Sequence, residues 1–171
     1  MSKPWMILST ALLVLAGCGE DETTSPKPKP PRAAARFDAD AGSGVTLEVE
    51  RLDDEWLVLD VVRPDEVPIA GVALRLTSAP PSLALDHVEV AGGWPSPRVL
   101  GQQATSGLSL AAIAVEGEAT STTRRLARLH FRRVTPEGAR VDFVASRSAV
   151  FGSDATPLEG VSWAGGELVV P

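Results

Sequence analysis

The feature that most constrains the fold is an apolar repeat of two residues that begins at Val45. In residues 45–50, Val and Leu alternate with Thr and Glu, which is typical of a β-strand with one face in solvent. Clusters of Gly, Pro, Ser and Thr separate almost all segments of this kind. No long window repeats its apolar residues at helical spacing between caps. The pattern therefore predicts an all-β domain.

Ten segments are strand candidates, two of them very short, and we expect about nine strands in total. The segments are 45–50, 56–62, 69–77, 83–91, 98–100, 108–115, 126–134, 140–145, 150–151 and 167–170. The first two read as a hairpin closed by a polar turn at residues 53–55. Frequent turns between short strands indicate an antiparallel β-sandwich, and no room remains for the helical connections of a parallel sheet.

The N-terminal segment has the layout of a secretory signal. Lys3 precedes an apolar run from Trp5 to Ala16, which only Ser9 and Thr10 interrupt. The run is about twelve residues long, short of the roughly 20 that a transmembrane helix needs. We therefore predict that residues 1–17 are a signal peptide and are removed.

Leu15-Ala16-Gly17-Cys18 resembles the lipobox of bacterial lipoproteins. The resemblance implies that Cys18, the only cysteine, is lipidated and becomes the first residue after cleavage. It also implies a membrane-anchored protein of the bacterial cell envelope, on the outer membrane, at a periplasmic face or at the cell surface. The alternative is an ordinary cleaved signal with an incidental cysteine.

Residues 18–44 contain hardly a large apolar side chain, Phe37 being the exception. Residues 26–31 alternate Pro and Lys before ending in a Pro pair, which favours extended polyproline II. We predict a disordered, Pro/Lys-rich tether over residues 18–44 and a single domain over residues 45–171.

The charge of the predicted domain argues against two classes of partner, nucleic acids and anionic lipid surfaces. From Val45 onward there are 17 acidic residues, 11 arginines and no lysine. Nucleic acid requires clustered cations to neutralise its phosphates, and anionic lipid surfaces attract cations in the same way. We expect neither as a direct partner of the domain.

Signals for catalysis or a metal site are weak. Ser109 lies in an incomplete G-x-S-x-G pattern whose final residue is Ala and whose setting is a strand. His87 and His130 are read as exposed strand residues, too few for a zinc site. Asp38 and Asp40 have calcium-loop spacing without the remaining ligands. We expect a non-enzymatic protein without a metal or cofactor.

Residues 126–131 read Leu-Ala-Arg-Leu-His-Phe, and a turn at Gly138 and a further apolar strand follow them. This arrangement resembles the late strands of cohesin modules. Ala70-Gly71 at the start of a strand and Gly165-Gly166 before the last strand agree with it. The resemblance implies a nine-stranded jelly-roll sandwich that binds a partner module without catalysing a reaction.

The resemblance also implies where a partner binds. In the family, the partner face includes the third and eighth strands, which here present Ala73, Arg75, Thr77, Arg140 and Asp142. Recognition of a protein through these residues is the first hypothesis, and an ordinary solvated sheet face is the simpler interpretation.

Two further functions remain open. Trp94 lies in a Gly-Gly-Trp-Pro loop and is the best candidate for stacking against a polysaccharide, whereas Trp56 and Trp163 are expected in the core. Packing of Trp94 over the end of the sandwich is the competing interpretation. The last alternative is a structural lipoprotein with no separable ligand.

Overall fold

Eleven β-strands and one short 3₁₀-helix make up the regular structure of the described residues. The computed structural model describes residues 34–90, 92–105, 107–115 and 119–171. The predicted signal peptide, Cys18 and the tether up to residue 33 lie outside the described residues. The strands are β1 Arg36–Ala39, β2 Thr46–Leu52, β3 Trp56–Val62, β4 Ile69–Ala79, β5 Leu83–Glu89, β6 Pro97–Thr105, β7 Leu108–Val115, β8 Arg125–Arg133, β9 Ala139–Phe143, β10 Ala149–Gly152 and β11 Gly166–Val169, with the 3₁₀-helix at Ala145–Arg147.

The strands form two antiparallel sheets. The larger sheet has seven strands in the order β1-β11-β9-β4-β7-β6, with β10 also paired to β4, and the smaller has the order β2-β3-β8-β5. The β2–β3 pair is the predicted hairpin. The predicted all-β class and sandwich architecture are therefore confirmed. Within the described residues, no helix has the length and apolar character needed to cross a bilayer.

The core lies between the sheets, where alternate residues of each strand meet. Val72, Leu74 and Leu76 of β4 are buried, as the alternation predicts. The smaller sheet contributes Leu57, Leu59 and Val61 from β3 and Leu129 and Phe131 from β8, among other buried residues. Because side chains alternate between faces, the residues between them on β4 point to the outer face.

Strand β4 is central to the larger sheet because it changes partner halfway along one edge. Its first half pairs with β10 and its second half with β9, while β7 pairs along its other edge. Where the neighbour of β4 changes from β10 to β9, the Arg75 N–H donates to Ser148 Oγ at 3.0 Å, and the Val144 N–H donates to the Arg75 carbonyl at 2.7 Å. These bonds pair the backbone groups that neither neighbouring strand reaches.

Two predicted boundaries are wrong. Residues 36–44, assigned to the tether, belong to the sandwich: β1 pairs with β11, and the Asp40 N–H donates to the Gly165 carbonyl at 3.0 Å. The sequence pattern misses β1 because only Phe37 of its four residues packs against the core. Strand β6, predicted at 98–100, extends over Pro97–Thr105, because its polar second half satisfies its backbone by pairing with β7.

Candidate interaction surface

The four polar residues predicted for the partner face lie together on the outer side of the larger sheet. Thr77 of β4 is directly opposite Asp142 of β9, and Ala79 is opposite Arg140. Arg75 lies two residues before Thr77 on the same face of β4. The fold therefore brings Arg75, Thr77, Arg140 and Asp142 onto one face, although β4 and β9 are far apart in sequence.

Arg140 is held within a charge cluster of the fold. Its Nε donates to Asp142 Oδ1 at 3.0 Å, and its Nη1 donates to Asp40 Oδ1 at 3.0 Å. The hydrogen bonds to Asp40 and Asp142 raise the pKa of Arg140 above its ordinary value. This guanidinium joins β9 to the segment after β1, so its first role is structural.

Arg75 differs from Arg140 in this respect. Its side chain is half-buried on the outer face and makes no hydrogen bond or ion pair with a described residue. The guanidinium of Arg carries five N–H donors in a planar fork that suits carboxylates and carbonyls. Of the two arginines predicted for the partner face, Arg75 has donors to offer to a partner.

An apolar patch, defined here as Leu100, Leu108, Leu110 and Ala112, lies beside these polar residues. Register places Leu108 next to Thr77, Leu110 next to Arg75, and Ala112 between Ala73 and Leu100. All four side chains are half-buried or exposed, and Leu100 is 56% exposed. The sheet face therefore combines apolar contact area with the Arg75 guanidinium.

The sequence interpretation missed this patch. The signal lies in residues 108–115, which contain no charged residue and place Leu or Ala on both faces of β7. One face of β7, with Ser109, Ala111 and Ile113, enters the core. An antiparallel strand with a wet outer face normally alternates apolar with polar residues, and β7 departs from this pattern on its outer face.

Trp94 does not offer a stacking platform, which corrects the candidate carbohydrate site. Its ring is 7% exposed and packs in the core, and its Nε1 donates to the Leu126 carbonyl at 3.2 Å. The indole N–H, its only polar group, thus has an acceptor inside the fold, so the ring can be buried. Trp163 packs against the core, as expected, while Trp56 is half-buried on the outer face of the smaller sheet.

The outer face of the smaller sheet carries a network of paired charges. Asp60 of β3 is 4% exposed and accepts hydrogen bonds from Arg128 Nε at 2.8 Å and Nη2 at 3.2 Å. Arg125 Nε lies 2.9 Å from the same carboxylate, and the hydrogen bond with Asp60 raises the pKa of Arg128. Asp60 is therefore neutralised within the fold by two arginines of β8.

The two histidines form a pair that the sequence did not indicate. His87 of β5 is opposite His130 of β8, and their rings stack with centroids 4.0 Å apart. Nδ1 of His87 lies 2.7 Å from Asp86 Oδ2, and Nε2 of His130 lies 3.2 Å from Glu89 Oε2. A register shift between Leu85 and His87 produces this pairing, and such a bulge leaves no simple sequence signal.

The other residues considered for catalysis or metal binding make contacts within the fold. Ser109 lies inside β7, faces the core and donates from Oγ to Gln103 Oε1 at 3.3 Å, so it is not on the strand-to-helix turn of a nucleophile elbow. Asp38 pairs with Arg36 at 3.0 Å. Across the described ranges, no three His, Cys, Asp or Glu side chains are arranged to hold a metal ion.

A cleft of about 370 Å³ lies at one end of the sandwich, lined in part by Arg63, Val67 and residues 158–162. Arg63 is 3% exposed; its Nε donates to the Thr123 carbonyl at 3.0 Å, its Nη1 to Asp65 Oδ1 at 3.2 Å and its Nη2 to the Val67 carbonyl. Burial lowers the pKa of Arg63. Each nitrogen already has a protein acceptor, so this guanidinium fixes the β3–β4 connection.

No protein-family model and no curated protein matches the sequence. Solved structures do match the fold. A cohesin module from a family 33 glycoside hydrolase of Clostridium perfringens superposes with a TM-score of 0.57 at 10% identity, covering 79% of this chain and 98% of that chain. The domain has a cohesin-like fold.

Two further structures agree. A non-cellulosomal cohesin of the archaeon Archaeoglobus fulgidus matches with a TM-score of 0.54 at 12% identity, covering 81% of this chain and 93% of that one. The sixth cohesin of scaffoldin B from Acetivibrio cellulolyticus, solved in complex with a Cel5 dockerin mutant, matches with a TM-score of 0.54 at 16% identity, covering 71% and 96%. The cohesin-like domain thus has the sandwich that the sequence resemblance implied.

Proposed function

We propose that this protein is a lipid-anchored, non-catalytic envelope protein whose cohesin-like domain binds a protein partner. The binding surface is the outer face of the larger sheet, formed by β4, β6, β7 and β9. The partner is a small module that presents apolar side chains together with an acceptor for Arg75.

One observation carries this proposal: the apolar patch of β6 and β7 adjoins Arg75 and Thr77 on an otherwise solvated sheet face. Interfaces gain most of their affinity from a buried apolar centre with a few well-placed polar groups, and arginine is frequent at such centres. On the outer face of the smaller sheet, the buried Asp60 is already paired with Arg125 and Arg128, and no comparable apolar patch is found among the described residues, so it is the weaker candidate.

The solved neighbours support a protein as the ligand. Two of the cohesins that share this fold were solved with dockerin-containing partners. Polysaccharide recognition loses its main support because Trp94 is buried. The alternative of a structural protein without a ligand does not account for the uncharged outer face of β7.

The test is binding of purified candidates to the immobilised chain. The candidates are a dockerin module and each protein encoded by a neighbouring gene. With a binding partner in hand, we expect Arg75→Glu and Leu110→Lys each to weaken the affinity at least about tenfold, because they introduce repulsion and an unpaired charge at the centre of the contact. Arg140 is unsuitable for this test, since its reversal would also break the cluster with Asp40 and Asp142.

Arg132→Glu is the matched control. Arg132 is exposed on the smaller sheet, so its reversal makes the same change of charge on the other face. The proposal predicts unchanged affinity for this variant. Equal loss in all three variants, or no loss on Leu110→Lys, would show that the outer face of the larger sheet is not the binding surface.

The membrane anchor is a separate part of the proposal and rests on Leu15-Ala16-Gly17-Cys18. We expect metabolic labelling with a fatty acid to mark the wild-type protein and intact mass spectrometry to place the acyl groups on Cys18. Cys18→Ala should remove the label and release the protein from the membrane fraction. An unmodified Cys18 in the mature protein would refute the anchor without affecting the binding proposal.

A further inference from the structure

Strand β6 forms one edge of the larger sheet and is built unlike the other edges. It pairs with β7 along one side, and no other described strand pairs with its second side. Its nine residues include Val99 and Leu100, which are 42% and 56% exposed. An edge strand presents a row of backbone donors and acceptors that can pair with a further strand.

The other edge strands of the described sheets are charged or short, which opposes self-association. β2 contains Glu48 and Glu50, and β5 contains Asp86 and Glu89. β1 and β10 have only four residues each, and β1 includes Asp38. Charged and short edges are the usual means by which proteins prevent edge-to-edge pairing.

Strand β6 is neither short nor rich in charge, and its protections are confined to its two ends: Pro97 at the start and a register shift between Gln103 and Thr105. Arg98 is its only charged residue, and residues 99–105 are all uncharged, as is the whole of the neighbouring strand β7. The two outermost strands of this sheet therefore bring almost no charge to the edge. On a domain of net negative charge, this is the edge at which two copies can meet without placing acidic side chains opposite each other.

We propose that β6 pairs in antiparallel orientation with β6 of a second copy of this chain, giving a symmetric dimer with one continuous sheet. With the twofold axis at Gly101, the middle residue of the strand, residues 99–103 of the two copies pair, and Leu100 of one copy lies opposite Gln102 of the other. The two Arg98 side chains are then six residues apart along the paired strands, roughly 20 Å. That distance exceeds the screening length of about 8 Å at physiological salt.

The single charged residue of β6 therefore does not oppose pairing of the two copies. The apolar patches of the two copies lie on the same face of the joined sheet, so the dimer presents two partner surfaces side by side. This inference shares Leu100 with the proposed partner surface but does not require a partner, because the pairing joins the backbones of two sheet edges. The two proposals can be separated experimentally. A chain that dimerises but binds no partner supports only the dimer, and a monomeric chain that binds a partner supports only the partner surface.

The test is sedimentation equilibrium of the full chain in a density-matched non-ionic detergent, which keeps the apolar N-terminal segment dissolved. Between about 1 and 100 μM, in the range of weak to moderate affinities, we expect a reversible monomer–dimer equilibrium. Hydrogen exchange followed by mass spectrometry should show slower exchange in residues 97–105 as the concentration increases.

A charge-swap pair tests the register. Leu100→Lys and Gln102→Glu each place like charges near the twofold axis, so each variant alone should dimerise at least about tenfold more weakly. In an equimolar mixture, the ammonium introduced in one variant lies opposite the carboxylate introduced in the other, which should restore the dimer. Restoration also shows that both variants are folded.

Val134→Lys is the control, since Val134 is an exposed apolar residue outside β6. It should leave the equilibrium unchanged. A monomer at every concentration, or a dimer that is insensitive to Leu100→Lys, would overturn the proposal. The same holds if the mixture of charge-swap variants fails to associate while the wild type does.

Discussion

At the scale of single residues, the direction of a side chain decides its function. Trp94 and Arg75 show this in opposite ways. Trp94 occupies a polar Gly/Pro-rich loop yet turns its indole into the core, where Leu126 provides an acceptor for the ring N–H. Arg75 lies in the middle of the longest strand yet keeps its guanidinium on the outer face without a partner among the described residues.

Trp94 gives the first prediction. Because its ring is buried, we expect Trp94→Ala to lower the free energy of unfolding by about 3–5 kcal/mol through loss of packing and a residual cavity. Trp94→Phe retains most of the volume and should cost less, mainly by leaving the Leu126 carbonyl without its donor, about 1 kcal/mol. Urea denaturation followed by circular dichroism measures both. A wild-type midpoint for Trp94→Ala would mean that the ring is not part of the core.

At the scale of strands and turns, local hydrogen bonds close the β2–β3 hairpin. Asp53 Oδ1 accepts the N–H of Glu55 at 2.9 Å and the N–H of Trp56 at 2.8 Å. This is the geometry by which Asp favours turns, since its short side chain replaces a backbone acceptor. The bond from Trp56, followed by the bond from Glu55, lowers the pKa of Asp53 below its ordinary 3.8.

The second prediction follows from this lowered pKa. A carboxyl whose pKa is lower in the folded state stabilises the fold fully above its unfolded pKa, and the contribution disappears as the pH falls through the folded value. Loss of the two turn hydrogen bonds in Asp53→Ala should cost at most about 1 kcal/mol near neutral pH, because solvent screens this partly exposed carboxylate. The difference from wild type should shrink below pH 3.8.

Asp53→Asn separates charge from hydrogen bonding, because the amide keeps the acceptor oxygen. It should be more stable than Asp53→Ala and show a weaker pH dependence than the wild type in thermal unfolding between about pH 2 and 7. A gap between wild type and Asp53→Ala that stays constant over this range would refute the role of the ionised carboxylate.

At the scale of the whole molecule, the order of strands determines which residues share a surface. β4 lies between β9 and β7, so side chains from three distant parts of the sequence form one face. The same topology places β1 on the edge beside β11, where Phe37 covers part of the core. The domain therefore extends further toward the N-terminus than the alternating pattern indicates.

The third prediction concerns this boundary. A chain that begins at residue 45 loses the burial of Phe37 and the ion pairs between Asp40 and Arg140. We expect it to be less stable than a chain that begins at residue 34 by about 2–4 kcal/mol, most of it from the aromatic ring. Urea denaturation of the two chains measures the difference.

Phe37→Ala in the longer chain is the matched control and should reproduce most of the loss, since it removes the ring while leaving β1 in place. Equal stability of the two truncated chains would mean that β1 contributes nothing to the fold. A large loss on truncation together with a neutral Phe37→Ala would assign the effect to the backbone pairing of β1 with β11.

The sequence by itself determined the all-β class, most strands and the inward side of β4, because alternation between core and solvent is recorded in each strand separately. It also indicated that Arg75, Thr77, Arg140 and Asp142 share a face, through the resemblance to cohesins. Only the tertiary structure decided that Trp94 is buried, that β1 belongs to the domain, and that Leu100 and Leu110 lie on the same face as Arg75. The physical reason is that strand pairing joins segments far apart in the chain, and neither a turn nor an apolar repeat records which strand becomes the neighbour.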